Sequence, residues 1–255
     1  MILADRTFRT LLSREVLRFT RVSMQTLVPQ LLTSLLYLVV FGIALGGRIR
    51  EIAGVPYLEY ILPGIALMSL VTNSQMNSSW SVFDAKREGY IQEVLISPMS
   101  DLQIALAYSL GGTLRGFVMG AGVFVIGIPF AGVNVAHPML LLLIGVLSSF
   151  TFSAFGTMVG ALATRIEHIS FLTSVVIQPL AFLGGVFYSV DMLPPSLKVV
   201  TLFNPIFHMV DAARYATLEI SDLNPYPTIA IILLLAALSL AGAWWAINRG
   251  PNLRY

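Results

Sequence analysis

The chain of 255 residues has no cysteine. Disulfides, thiolate nucleophiles and cysteine-ligated metals are thereby excluded. Lysine is almost missing as well, since Lys86 and Lys198 are the only two, and neither follows a glycine. A phosphate-cradling Gly-x-x-x-x-Gly-Lys-Ser/Thr loop cannot be built from this sequence. His137, His168 and His208 fall in separate loops or loop edges, without a ligand neighbour at helical spacing, so no metal site is expected. No Gly-x-Ser-x-Gly elbow occurs. The carboxylates lie almost entirely outside the apolar runs, which leaves an intramembrane proton relay little to work with. These gaps argue against a membrane enzyme and against a proton-driven carrier.

Charge is scarce too, with 15 basic and 13 acidic residues and a net charge of +2. Soluble domains carry about a quarter charged residues. So small a net charge gives no reason to expect a nucleic-acid partner. What fills the chain is apolar: 56% of it is hydrophobic, in continuous runs at about 24–45, 60–80, 107–130, 139–163, 169–188 and 226–247. Each approaches the roughly 20 residues a helix needs to cross about 30 Å of hydrocarbon. The runs are continuous rather than alternating, which argues against a barrel. The expected fold is an all-α integral membrane protein with six transmembrane helices, in one domain over 1–255 with no internal repeat. The first run is too long for a signal-peptide core and is expected to be retained.

The basic residues set the orientation. With the N-terminus inside, Arg6, Arg9, Arg14, Arg18, Arg21, Lys86, Arg87, Arg165, Arg249 and Arg254 face the cytoplasm. Arg48, Arg50, Lys198 and Arg214 face outward, an asymmetry that obeys the positive-inside rule. Both termini are therefore expected in the cytoplasm.

Residues 84–101 form a charged segment between two spans. Within it Tyr90, Ile91, Val94 and Leu95 recur at helical spacing, and Ser97-Pro98 ends the pattern. An amphipathic helix here is either a solvated connector or a docking element whose apolar face its own chain leaves uncovered. Residues 7–21 read as a helix on the inner membrane surface, with Phe8, Leu12, Val16 and Phe19 on one face and Arg14, Arg18 and Arg21 on the other. Glu15 and Leu17 interrupt that pattern, and a plain topogenic basic segment reads equally well. The first span is expected to begin just past a turn at Pro29.

The second span ends in a polar run, in which Asn73 and Asn77 share a face with Ser69. Helix-to-helix hydrogen bonding and a hydrated vestibule both explain such amides. Gly112, Gly116 and Gly120, then Gly145, Ser149, Ser153, Gly156 and Gly160, are small-residue stripes that let helices approach closely. Arg115 should snorkel, face protein or meet an anionic substrate group. Residues 189–225 are too apolar for a solvated loop, yet Pro194-Pro195, Asn204-Pro205, Asp211 and Arg214 forbid a full crossing. Two short re-entrant helices fit, buried against protein. Asp211 and Arg214, three apart, are expected to pair.

In order and spacing these features resemble the membrane permease of type-2 ABC exporters. The resemblance covers essentially the whole chain. It is carried by Gln25-Thr26-Leu27-Val28-Pro29, Leu62-Pro63-Gly64, Arg87-Glu88-Gly89 with Glu93-Val94-Leu95-Ile96-Ser97-Pro98, and Gln178-Pro179-Leu180 with Gly184-Gly185-Val186-Phe187-Tyr188-Ser189. Leu193-Pro194-Pro195, Asn204-Pro205 and Arg214-Tyr215 follow. It is similar to the small stand-alone inner-membrane permeases of the YadH and nodulation-factor (NodJ) branch.

The resemblance implies a dimer in the bacterial inner membrane, each half bound to a separate cytoplasmic ATP-binding subunit that holds ATP and Mg. Residues 7–21 would be the interface helix, and 84–101 the coupling loop, acting through Arg87, Glu88, Gly89, Ile91, Glu93, Leu95, Ser97 and Pro98. Asn73, Asn77, Gly184, Gly185, Phe187 and Tyr188 would line the translocation path and its outer gate. Residues 189–225 would be the outer re-entrant region, with Pro194, Pro195, Asn204, Pro205, Asp211 and Arg214. Export of an amphiphilic, drug-like or lipid-linked molecule is implied. A secondary transporter or channel would instead work without an ATPase partner, and a membrane scaffold would move no substrate even with one.

Overall fold

The computed structural model describes residues 6–21, 23–46 and 49–250. The readings placed on Arg48 and Arg254, and on the side chains of Arg21, Gln25 and Thr26, lie outside the described residues. Helices follow one another as α1 (Arg6–Arg21), α2 (Ser23–Val39, continued by a π-helical turn Val40–Leu45), α3 (Tyr57–Arg87), α4 (Ile91–Leu95), α5 (Asp101–Ala131) and α6 (Pro138–Leu162). Then come α7 (Ile166–Phe171, continued by a π-helical turn Leu172–Ile177), α8 (Gln178–Phe182), a 3-10 turn Val190–Met192, α9 (Pro195–Leu202), α10 (Pro205–Leu218) and α11 (Pro225–Arg249). The strand content among the described residues is one small antiparallel pair, β1 (Glu51–Ile52) and β2 (Val55–Pro56). The all-α expectation holds.

Among the described residues three helices, α5, α6 and α11, are long and apolar enough to cross a membrane by length and composition; Leu27–Gly42 and Ile166–Phe182 are apolar but shorter. The helix α3 is long enough, but its second half is polar. At about 1.5 Å per residue its 31 residues run about 46 Å, well beyond about 30 Å of hydrocarbon. Both α3 and α5 thus continue past the apolar runs that marked them, as an antiparallel hairpin with α4 at its tip. The turn at Pro29 is not found. The helix α2 starts at Ser23 and continues through that proline. Membrane helices tolerate an interior proline because hydroxyl side chains and neighbours satisfy the freed backbone.

The helix α3 is the axis of the bundle, and every residue from 60 to 71 is buried. It packs against α5, α6 and α10, while α11 lies on α6 and α1 on α5. Two large apolar clusters form, beside a small third of Phe83, Ala163 and Ile169. One gathers Tyr60, Leu62, Ile65 and Val71 with Ile144, Val186, Ile206 and Met209; the other gathers Phe8, Leu11 and Val82 with Ile91, Val94, Ile104 and Ile247.

Between the clusters the contact is small and polar. Ser78 Oγ meets Ser153 Oγ at 2.6 Å, Ser79 Oγ donates to Gly156 O at 2.9 Å, and Ser149 Oγ donates to Thr113 O at 2.7 Å. Hydrocarbon gives helices no apolar reason to associate, so close backbone approach and hydrogen bonds of about 0.6–1.7 kcal/mol each hold the seam. Gly156 marks the tightest crossing: a methyl group there would lie 2.3 Å from Gln75 O, a backbone atom that cannot rotate away. Gly156→Ala therefore forces α3 and α6 apart, at about 1–3 kcal/mol. A thermal melt of the purified variant in detergent should show a clear drop in Tm, and an unchanged Tm would refute the close crossing.

Candidate functional site

At one end of the bundle the hairpin presents its tip. Arg87, Glu88, Gly89, Gln92, Glu93 and Pro98 are exposed, and Ile96 is 84% exposed. The apolar face is not open, contrary to the sequence reading. Ile91 and Val94 are buried with Phe8 and Leu11 of α1 and Met99 and Ile104 at the start of α5, and Leu95 packs against that cluster. The sequence pattern identifies an apolar face but not what covers it; here α1 does. The free surface of the tip is polar, with Ile96 as its single large apolar projection.

The tip is firmly tied down. Ser97 Oγ donates to Val94 O at 2.6 Å, and Ser100 caps α5 reciprocally with Gln103. Arg87 pairs with Asp84 at 3.1 Å and reaches Glu88 at 3.7 Å. The Arg14 guanidinium lies 4.3 Å from the centre of the Tyr90 ring. Lys86 Nζ donates to Ala161 O and Ala163 O, both at 2.7 Å, and so fastens α3 to the end of α6. Burial pushes the Lys86 ammonium down to about 8, while the carbonyl dipoles ending α6 favour its charge.

The same end holds a carboxylate that the sequence reading treated as an interruption. Glu15 has no exposed surface, and the buried stripe of α1 is Phe8, Leu11, Glu15 and Phe19 rather than Phe8, Leu12, Val16 and Phe19, because Leu12 and Val16 are half-buried. Glu15 accepts from Ser81 Oγ of α3, from Arg14 at 3.3 Å and from Arg18 at 3.4 Å. Arg18 Nη2 continues to Asn77 O at 3.2 Å and Asn77 Oδ1 at 3.1 Å, and Arg115 Nη1 reaches the same Asn77 Oδ1 at 3.3 Å. Thus α1 is latched to α3 by hydrogen bonds from charged groups and to α5 by packing. A carboxylate flanked by arginines and seven residues from Phe8 was the available signal.

The far end carries the second assembly. Gly185 sits at φ +71, a left-handed turn that suits glycine, and Val186 packs against Gly64 of α3. Tyr57 Oη donates to Phe187 O at 3.3 Å and Tyr188 Oη to Leu183 O at 2.8 Å. Asn204 caps α10 through Ile206 N at 3.0 Å and donates to Leu180 O at 2.7 Å, and Pro195 and Pro205 open α9 and α10. The expected Asp211–Arg214 pair is not formed. Asp211 accepts from Ser221 Oγ at 2.6 Å and from Asp222 N at 2.7 Å. Fully buried Arg214 donates to Gly185 O at 2.6 Å, lies 3.8 Å from the centre of the Tyr60 ring, and has Asp222 at 4.0 Å. Asp211 turns to the loop after α10, and Arg214 turns to the backbone of the Gly185 turn and the face of Tyr60.

The residues expected along one path are divided between the ends. Asn73 bonds back to Ser69 O at 2.8 Å on its own helix, and Asn77 faces α1 and α5. Gly64, which receives Val186, lies about 20 Å along α3 from Asn77. Gln75 instead faces α7, accepting from Thr173 Oγ1 at 3.0 Å. Near the far end α2 meets α8 through rings: Tyr37–Phe182 at 6.2 Å, Phe41–Phe187 at 4.4 Å and Phe182–Phe187 at 5.8 Å.

A sequence profile for the ABC-2 type transporter matches residues 6–218, from the first residue of α1 to the last of α10. The chain belongs to the ABC-2 type transporter family. It is 35% identical to the inner membrane transport permease YadH of Escherichia coli K12 over 246 residues, 96% of each chain. It is 24% identical to nodulation protein J of Rhizobium meliloti over 202 residues, 79% of this chain and 77% of that protein. As an ABC-2 permease it is a membrane transport subunit, and the matched region contains the latched α1, the tip and the Arg214 assembly.

Replacing Glu15 with alanine leaves Ser81 and Arg18 without their buried acceptor, at about 1–3 kcal/mol. Thermal unfolding in detergent should show a lower Tm, with α1 more open to protease. A variant as stable and as resistant as the parent would mean that the latch is idle.

Proposed function

We propose that the chain is the transmembrane subunit of an ATP-driven exporter of the inner membrane, working as a dimer of six-span protomers with cytoplasmic termini. A separate cytoplasmic ATP-binding subunit supplies ATP and Mg. The cargo is an amphiphilic, drug-like or lipid-linked molecule. Family membership supports this reading, as does likeness to a protein named as an inner membrane transport permease. One structural observation carries it furthest. The α3–α5 hairpin runs beyond bilayer thickness and ends in a small, rigid, mostly polar surface around Ile96.

Such a tip suits a docking lever. Nucleotide-driven closure of two partner subunits pushes on α4, and the hairpin moves as one body because the seam and Lys86 bind it to α6. On the other side, α2 and α8 are joined by ring contacts rather than by a hydrogen-bonded seam. Opening there, along α2, α3 and α7–α8 and beneath α9 and α10, makes the outward path.

Ile96→Asp and Glu93→Arg change the exposed surface while leaving Ile91 and Val94 in place. Burial of an apolar anchor at an interface centre is worth about 2 kcal/mol or more. Ile96→Asp should therefore reduce co-purification with the ATP-binding subunit about 30-fold and abolish stimulation of its ATPase. Unaltered coupling in both variants would eliminate the lever.

A further inference from the structure

At the α4 end of the bundle Arg14 and Arg18 pair with one carboxylate, Glu15, while a third guanidinium, Arg115, meets Arg18 across Asn77. Arg115 is in no ion pair among the described residues; its one hydrogen bond is to Asn77 Oδ1, and its Nε is buried without a partner. Arg18 uses the same Asn77 oxygen, at 3.1 Å. Two like charges thus converge on a neutral amide that cannot neutralise either. Asn77 Nδ2 is also buried without a partner. A guanidinium fork is built for two-point contact with an oxyanion. Among the described residues no carboxylate reaches Arg115, which leaves its fork open to an oxyanion from outside the chain.

The position indicates its kind. Asn77 lies three residues, about 5 Å, from the end of the apolar run 60–80, which sets the cluster near the edge of the hydrocarbon layer. Beside it, a groove of about 800 Å³ opens between α1 and Tyr90, lined by Arg9, Ser13, Arg14 and Arg18. Basic pockets between helices at that depth hold anionic headgroups.

We infer that Arg18, Arg115 and Asn77 form a binding site for a phosphate oxyanion at the membrane interface, closed on one side by the Glu15 latch. The site would neutralise Arg115 and make the docking of α1 depend on the ligand. Its existence depends neither on the ATPase partner nor on the direction of transport. Failure here would leave the proposed function standing, and loss of coupling in the tip variants would leave this site standing.

The test uses the full chain in nanodiscs of phosphatidylcholine, whose phosphate is balanced by its own choline cation, with net-anionic phosphatidylglycerol added in one arm and inorganic phosphate in the other. Tm and the lipid retained in native mass spectrometry are read. Phosphatidylglycerol should raise Tm and be retained, and Arg115→Gln should lower retention about fivefold, the equivalent of about 1 kcal/mol. Arg165→Gln, which removes an exposed arginine at the same end, should change nothing. A rise in Tm with inorganic phosphate alone would support the site and assign it to a soluble phosphate group. Asn77→Asp places a carboxylate between the two arginines, so it should stabilise the protein in phosphatidylcholine and remove the gain from either anion. This variant keeps the test valid if Arg115→Gln does not fold. The site is overturned if neither anion raises Tm, if Arg165→Gln loses as much as Arg115→Gln, or if Asn77→Asp still gains like the parent.

Discussion

The bundle depends on how closely α3 can lie against α5 and α6. Between helices in lipid there is no water to expel, so association rests on backbone proximity and on hydroxyl groups that bond across the gap. The serines of α3 and α6 supply those bonds, and the glycines at the crossings remove the atoms that would prevent them. The result is stiff and directional. It differs in kind from the ring contacts between α2 and α8, where aromatic faces can part without stranding a buried polar group.

That contrast divides the molecule into a rigid part and a separable part. The rigid part runs from the tip at Ile96, through the Lys86 fastening, to the turn at Gly185 that Arg214 secures. Both ends of α3 are therefore joined to polar assemblies, one bearing the latched α1 and the other the buried α10. A push on α4 has few soft places in which to be lost. The π-helical turns in α2 and after α7 lie in the separable part, and wide turns of this kind often sit where a helix must adapt.

Much of this was legible in the residues. The all-α character was plain in the apolar runs, three of which became helices long and apolar enough to cross a membrane among the described residues, and the stretches at 84–101 and 189–225 became short helices. What could not be read was which surface covers which. Tyr90, Ile91, Val94 and Leu95 announce an apolar face, but α1, some 80 residues earlier, buries it. Periodicity scores Glu15 as a flaw, yet its burial fixes α1 in place. Hydropathy reports the bilayer rather than the helix, so the extensions of α3 and α5 beyond it were missed. The Asp211–Arg214 spacing suggested a pair that loop partners outbid, because tertiary contacts override an i, i+3 preference worth a few tenths of a kcal/mol.

The central claim is that α3 carries motion from the tip to the far end as one body. The cysteine-free sequence allows nitroxide labels to be placed in pairs without background. Electron–electron resonance distances should be measured in the complex with the proposed ATP-binding subunit, nucleotide-free and ATP-bound, for Glu59→Cys/Glu93→Cys and for Glu93→Cys/Val39→Cys, Val39 being an exposed residue of α2. The account predicts an unchanged distance for the first pair and a shifted one for the second. A change between positions 59 and 93, showing that α4 moves without α3, would contradict it.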